Sequence, residues 1–131
     1  MTAPFSADQA TILIIDDDET TRQTFQLMLV DEGYKVHSAA TPEEELAQAS
    51  SDPPDAVLLD LHMPLINGLE WLRLLRAAPG ERAVPVAIVT GDYFLDEDVA
   101  RELKTLGARI YFKPLWDSDL KRLVHELLGT L

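Results

Sequence analysis

A chain of 131 residues, 47% of them hydrophobic, is long enough for one domain with a single core. Its 23 acidic residues against 11 basic ones leave a net charge of -12, which opposes binding to nucleic acid or to an anionic membrane through the general electrostatic term. The absence of cysteine excludes disulfides and thiolate metal sites. Met1 to Ala10 have neither the basic start nor the apolar stretch of a signal peptide, and no run is long enough to span a bilayer, so the expected location is the cytoplasm.

Strand-like and helix-like segments then alternate along the chain. Thr11 to Ile15 reads as a strand, and Glu19 to Asp31 as a helix with Phe25, Met28 and Leu29 on one side and Gly33 as its stop. Tyr34 to Ser38 is a second, more polar strand suited to a sheet edge. Thr41-Pro42-Glu43-Glu44 opens the next helix, because Thr can cap, Pro suits the first turn and Glu44 completes a capping box; Ser51-Asp52-Pro53-Pro54 breaks it. Ala56 to Leu59 is a third strand, leading into Asp60. Gly68 to Ala78 is a helix carrying Leu69, Leu72 and Leu75, ended by Pro79-Gly80.

Pro85 to Thr90 is the fourth strand. Asp96 to Leu106 is a helix with Val99, Leu103 and Leu106 inward and Gly107 as its stop. Arg109 to Phe112 is the fifth strand, and Asp117 or Ser118 is expected to cap a last helix bearing Leu120, Leu123, Val124, Leu127 and Leu128. Five strand–helix units imply an α/β fold whose sheet is parallel, with right-handed crossovers and helices on both faces.

Three carboxylates stand at strand ends: Asp16-Asp17 after Ile12-Leu13-Ile14-Ile15, and Asp60 after Ala56-Val57-Leu58-Leu59. If the two runs are parallel neighbours, these groups converge at the carboxyl edge of the sheet, where open α/β sheets place their ligands. Such a cluster repels itself. Raised pKa values relieve part of the charge, and a hard divalent cation with oxygen ligands relieves the rest, with Mg²⁺ the best fit and Mn²⁺ an alternative.

Taken together, Asp16-Asp17 after the first strand, Asp60 followed by Met63-Pro64 and Gly68, Thr90 after the fourth strand and Lys113-Pro114 after the fifth resemble the receiver domain of bacterial two-component response regulators, of the chemotaxis type. The resemblance covers roughly Ala10 to Leu128, and residues 1–9 are expected to form an N-terminal tail before a receiver domain over 10–131. It implies a flavodoxin-like (βα)5 doubly wound sheet of five parallel strands in the order 2-1-3-4-5, which puts the first and third strands side by side.

The resemblance also implies a chemistry. Asp60 would be the phosphoacceptor, taking a phosphoryl group from a sensor histidine kinase or a histidine phosphotransfer protein and forming an aspartyl phosphate. Asp16, Asp17, Asp60 and the backbone carbonyl of His62 would hold Mg²⁺, while Lys113 supplies a positive charge and Thr90 a hydroxyl to the phosphoryl oxygens. Such a domain phosphorylates and dephosphorylates itself and acts as a switch rather than a turnover enzyme. His62, Gly91 and Asp92 flank the route of water to the acyl phosphate and are candidates for tuning its lifetime. The bond before Pro114 is expected to be cis.

One position departs from the pattern. Three residues before the lysine, where receivers commonly carry Tyr or Phe as a rotamer switch coupled to the Thr, this chain has Ile110. Tyr111 cannot replace it, because a shift of one residue along a strand reverses the face. Tyr93 and Phe94, just after Thr90-Gly91-Asp92, are the candidate substitutes; static packing or contact with a partner is their alternative role.

Two further readings use the same residues. Asp16-Asp17-Asp18-Glu19-Thr20 fits the Asp-x-Asp-x-Thr opening of haloacid-dehalogenase-like phosphatases, but that reading gives Asp60 no role and finds no later acidic motif on a strand. The other is a receiver-like docking module without phosphorylation, although all five expected chemical positions are filled. The output surface implied by the resemblance is the fourth helix, fifth strand and fifth helix, with Trp116 a candidate contact. Its partner would be a downstream protein or an appended effector domain, with homodimerisation on phosphorylation a further option. Neither direct binding to nucleic acid by this segment nor membrane association is expected. The chain ends at Leu131 without an effector domain, as either a stand-alone receiver or a piece of a longer regulator or hybrid kinase.

Overall fold

The computed structural model describes residues 10–40, 54–62, 67–77 and 84–129. The helix start at Thr41, the breakers Ser51 to Pro53 and Pro79-Gly80, Ala78, and Met63-Pro64 lie outside these residues. In chain order the elements are β1 (Thr11–Ile15), α1 (Glu19–Asp31), β2 (Lys35–Ala39), β3 (Ala56–Leu59), α2 (Gly68–Ala77), β4 (Val86–Thr90), α3 (Glu97–Thr105), β5 (Ala108–Phe112) and α4 (Asp117–Leu128).

The five strands form one parallel sheet in the order β2-β1-β3-β4-β5, as expected. Alternate residues of each strand face opposite layers. Leu13, Ile15, Val57, Leu59, Val86 and Ile88 meet Leu69, Trp71, Leu72 and Leu75 of α2 and Leu103 of α3. On the other face Ile12, Ile14, Leu58 and Val89 meet Phe25 and Leu29 of α1 and Leu120, Leu123, Val124 and Leu127 of α4. Both faces being covered, the inner strands read as unbroken apolar runs, and each fully buried Leu or Ile contributes about 1.5–3 kcal/mol. Trp71, fully buried, joins the three leucines foreseen on α2. Among the described residues no helix is long and apolar enough to cross a membrane.

Element ends follow local chemistry. Asp18 caps α1, its Oδ2 accepting the Thr21 N–H at 3.1 Å, and Glu19 in the first turn complements the helix dipole. Asp96 caps α3 through the N–H groups of Asp98 and Val99. The chain leaves α3 through Gly107, whose φ of +85° suits a residue without Cβ.

Two expectations need correction. The second strand begins at Lys35 rather than Tyr34, because the Tyr34 N–H is used by the end of α1, donating to the Leu29 carbonyl, and the Lys35 N–H then donates to Ala10 in the ladder. Neither Asp117 nor Ser118 caps the last helix. Trp116 holds the cap position, with its N–H donating to the Asp119 carboxylate at 3.2 Å, while Asp117 lies inside the helix and pairs with Lys121 at 3.1 Å.

Candidate functional site

The β1–β3 pairing fixes the site. Ile15 stands opposite Leu59, so Asp16 and Asp60 leave the sheet side by side, and the Asp60 N–H donates to the Ile15 carbonyl at 2.9 Å. Carboxylate oxygens of Asp16, Asp17 and Asp60 lie within 4.8 Å of one another. Asp16 and Asp60 are buried and Asp17 is exposed. One oxygen of Asp16 accepts the Asp18 N–H at 2.9 Å and the other accepts the Lys113 ammonium at 3.0 Å. Lys113 Nζ also lies 3.9 Å from Asp60 Oδ1. The guanidinium of Arg22 holds the Asp16 carbonyl at 2.8 Å. Sequence reasoning missed Arg22, although an arginine near a helix N-terminus, where the dipole favours acids, was a signal.

Three carboxylates against one ammonium leave the edge electronegative. Burial, and next the charge of Asp16, push the Asp60 carboxyl up to about 6, against the opposing pull of Lys113. Burial alone would lower the pKa of Lys113, but its hydrogen bond to Asp16 and the charges of Asp16, Asp60 and Asp18 outweigh that and raise it. Lys113 is therefore held as a cation. All the donors at the cluster are hard oxygens, a set that suits Mg²⁺ and offers nothing to a soft metal.

Thr90 ends β4 fully buried beside this edge. Its Oγ1 accepts the Asp92 N–H at 3.1 Å, and its carbonyl accepts the Lys113 N–H at 2.8 Å. The peptide bond between Lys113 and Pro114 is cis. Gly68 opens α2 against the acidic strand end, its N–H donating to the Leu61 carbonyl at 2.8 Å. His62 and Asp92, from the loops after β3 and β4, meet at 2.9 Å, and this bond with His62 holds the Asp92 carboxyl below its usual range. A Cβ on Gly91 would meet nothing within 4 Å, so the space beside this residue is open.

The aromatic candidates part company. Ile110 is half-buried and packs on the α2–α3 face, whereas Tyr111 packs on the opposite face, as the one-residue shift requires. Phe94 is 94% exposed and cannot be static packing within the chain. The Tyr93 hydroxyl donates to the Lys113 carbonyl, and its ring stacks on Phe112 with centroids 5.7 Å apart. Phe112, the register partner of Thr90, was not singled out from sequence; its place beside the lysine on the Ile110 face was the available signal. Trp116 is exposed after β5.

A model of the response regulator receiver domain family matches residues 12–125. The sensory/regulatory protein RpfC of Xanthomonas campestris pv. campestris is 35% identical over 123 residues, which cover 92% of this chain and 16% of that protein. The cell cycle transcriptional regulator CtrA of Caulobacter vibrioides is 33% identical over 120 residues, 89% of this chain and 49% of that protein. The chain thus spans half or less of the length of these curated relatives. Among solved structures, chemotaxis protein CheY4 of Vibrio cholerae superposes with a TM-score of 0.82 at 28% identity, covering 91% of this chain and 98% of that one. A CheY-like receiver domain protein of Methanospirillum hungatei gives 0.81 at 29% identity, with 92% and 94% covered.

Proposed function

The chain belongs to the response regulator receiver domain family of two-component signalling, and from that membership and its acidic edge we propose that Asp60 is a phosphoacceptor. The observation that carries the reading is a buried carboxylate at the end of β3, with two further carboxylates in reach and the Lys113 ammonium 3.9 Å away. We take residues 10–131 as the working domain and 1–9 as its tail, acting in the cytoplasm.

Asp60 attacks the phosphorus of a phosphohistidine, on a sensor kinase or a phosphotransfer protein, or of a small acyl phosphate. A P–O bond forms to its carboxylate as the bond to the imidazole or acyl group breaks. Asp16, Asp17, Asp60 and the His62 carbonyl are the residues that would hold Mg²⁺, which supplies neutralisation of charge on the transferred oxygens. Lys113 supplies a second positive charge, and the Thr90 hydroxyl, which accepts from Asp92, keeps its own proton free to donate to a phosphoryl oxygen. Water later attacks phosphorus and releases Asp60, a step that the His62–Asp92 pair and the open approach at Gly91 would govern.

Phosphorylation would act as a population shift toward the arrangement in which Thr90 and Lys113 close on the phosphoryl group. The readout would pass through α3, β5 and α4, with Trp116 at the contact, to a downstream protein or a further domain. Asp16, which a dehalogenase-like phosphatase would use as nucleophile, is already engaged by Lys113 and the Asp18 N–H. Intact-protein mass after incubation with Mg²⁺ and acetyl phosphate tests the reading. One labile adduct is expected, absent in Asp60→Asn and on chelation of Mg²⁺; no adduct with sustained hydrolysis of a generic phosphate ester would favour the phosphatase.

A further inference from the structure

The backbone of Lys113 is gripped from two sides. Its N–H donates to the Thr90 carbonyl at 2.8 Å, extending the β4–β5 ladder by one bond, and its carbonyl accepts the Tyr93 hydroxyl. From this anchor the side chain reaches Asp16 at 3.0 Å and Asp60 at 3.9 Å. A lysine stem has four rotatable carbons, so the place its ammonium reaches depends on how firmly its own peptide is held. The ladder bond holds the plane that precedes Lys113, and the tyrosine bond holds the plane that follows it.

Tyr93 is itself located by packing. Its ring, 61% exposed, lies nearly parallel to Phe112, at an interplanar angle of 27°. Ordering an exposed ring costs conformational entropy, which the aromatic stack and the hydroxyl bond together offset. Tyr93 also belongs to the loop that starts at Thr90, so that loop and the lysine arm are tied at both ends, by Thr90 to the Lys113 N–H and by Tyr93 to the Lys113 carbonyl. We propose that Tyr93 is a positioning residue for Lys113, acting through its main-chain carbonyl to aim the ammonium at the acidic edge.

The kinetic half of the test rests on the phosphoacceptor reading, and a second half does not. Tyr93→Phe keeps the ring and its stack and removes only the hydroxyl. With saturating Mg²⁺, its rate of adduct formation from acetyl phosphate should fall by about threefold to tenfold, the range one hydrogen bond supplies. Its Mg²⁺ affinity by calorimetry should match wild type, and its Tm should fall by no more than the few degrees that one hydrogen bond supplies. A Tyr93→Phe rate equal to wild type in a reactive protein would overturn the proposal, as would a parallel loss of Mg²⁺ affinity and Tm, which would mark a merely structural ring. Without any phosphodonor, the Lys113 side-chain ¹⁵Nζ and ¹³Cε signals should move toward those of an unpaired lysine in Tyr93→Phe. That shift in a wild-type protein inert to acetyl phosphate would keep the positioning role and reject the phosphoacceptor; unmoved signals would overturn the positioning role itself.

Discussion

A Cβ placed on Gly68 would stand 2.5 Å from the carbonyl oxygen of Asp60 and 3.0 Å from the Cα of Leu61. The first turn of α2 therefore presses on the backbone that carries the proposed phosphoacceptor. Neither contact is with a flexible side chain, so Gly68→Ala must displace main chain at the site. Overpacking of this kind costs about 1–3 kcal/mol. We expect Gly68→Ala to lower stability in denaturant titration by that amount and to slow adduct formation. A variant as stable and as reactive as wild type would show that the approach is slack.

Asp60 gives stability a pH dependence of unusual sign for a carboxylate. Its pKa rises from 3.8 in the unfolded chain to about 6 in the fold, so between those values the native state binds more protons than the unfolded one. Stability then falls as pH rises through that window. The penalty is absent below about pH 4 and complete above about pH 6. Asp60→Asn removes it and should be more stable than wild type by roughly 1–2 kcal/mol at pH 7.5, allowing for solvent screening, with the difference vanishing near pH 4. Denaturant titrations at the two pH values measure it, and an Asn variant less stable than wild type at pH 7.5 would contradict the assignment.

Binding of Mg²⁺ should release protons in the same window. Near pH 6 about half of the Asp60 carboxyls are protonated, and a cation binds the deprotonated form, so roughly half a proton should leave per ion bound. At pH 8 the release should approach zero. Calorimetry in buffers of different ionisation enthalpy counts these protons. Equal release at both pH values would place the titrating group elsewhere.

Lys113→Met tests the balance of charge at the edge. Without the ammonium, Asp16 loses its 3.0 Å partner and Asp60 loses the nearby cation that pulls its pKa down. The Asp60 carboxyl, followed by its ¹³Cγ titration, should move above 6, and adduct formation should fall by about a hundredfold, as for loss of a preorganised electrostatic donor. An unchanged titration would mean that Lys113 does not act on Asp60.

Much of this arrangement was legible from residue patterns. Apolar runs ending in Asp16 and Asp60 identify strands covered on both faces, and the pairing of Ile15 with Leu59 brings the two carboxylates together as expected. Gly107 announced its helix end because its chemistry is local. The misplaced cap shows where that logic stops: Asp117 and Ser118 are both good capping types, and only the backbone decides that Asp119 reaches back to Trp116. Likewise Tyr34 has the composition of a strand residue, yet its N–H closes the end of α1. The contacts of Tyr93 with Phe112 and Lys113, and of Arg22 with Asp16, join segments far apart in the chain or depend on where one side chain points, which periodicity does not encode.

The most direct test of the central claim is to locate the phosphoryl group. Borohydride reduction of the protein after incubation with Mg²⁺ and acetyl phosphate converts an aspartyl phosphate to homoserine, which peptide mass mapping can place. Homoserine is expected at position 60 and nowhere else, lost when Mg²⁺ is chelated. Homoserine at position 16 or 17, or none in a protein that binds Mg²⁺, would contradict it.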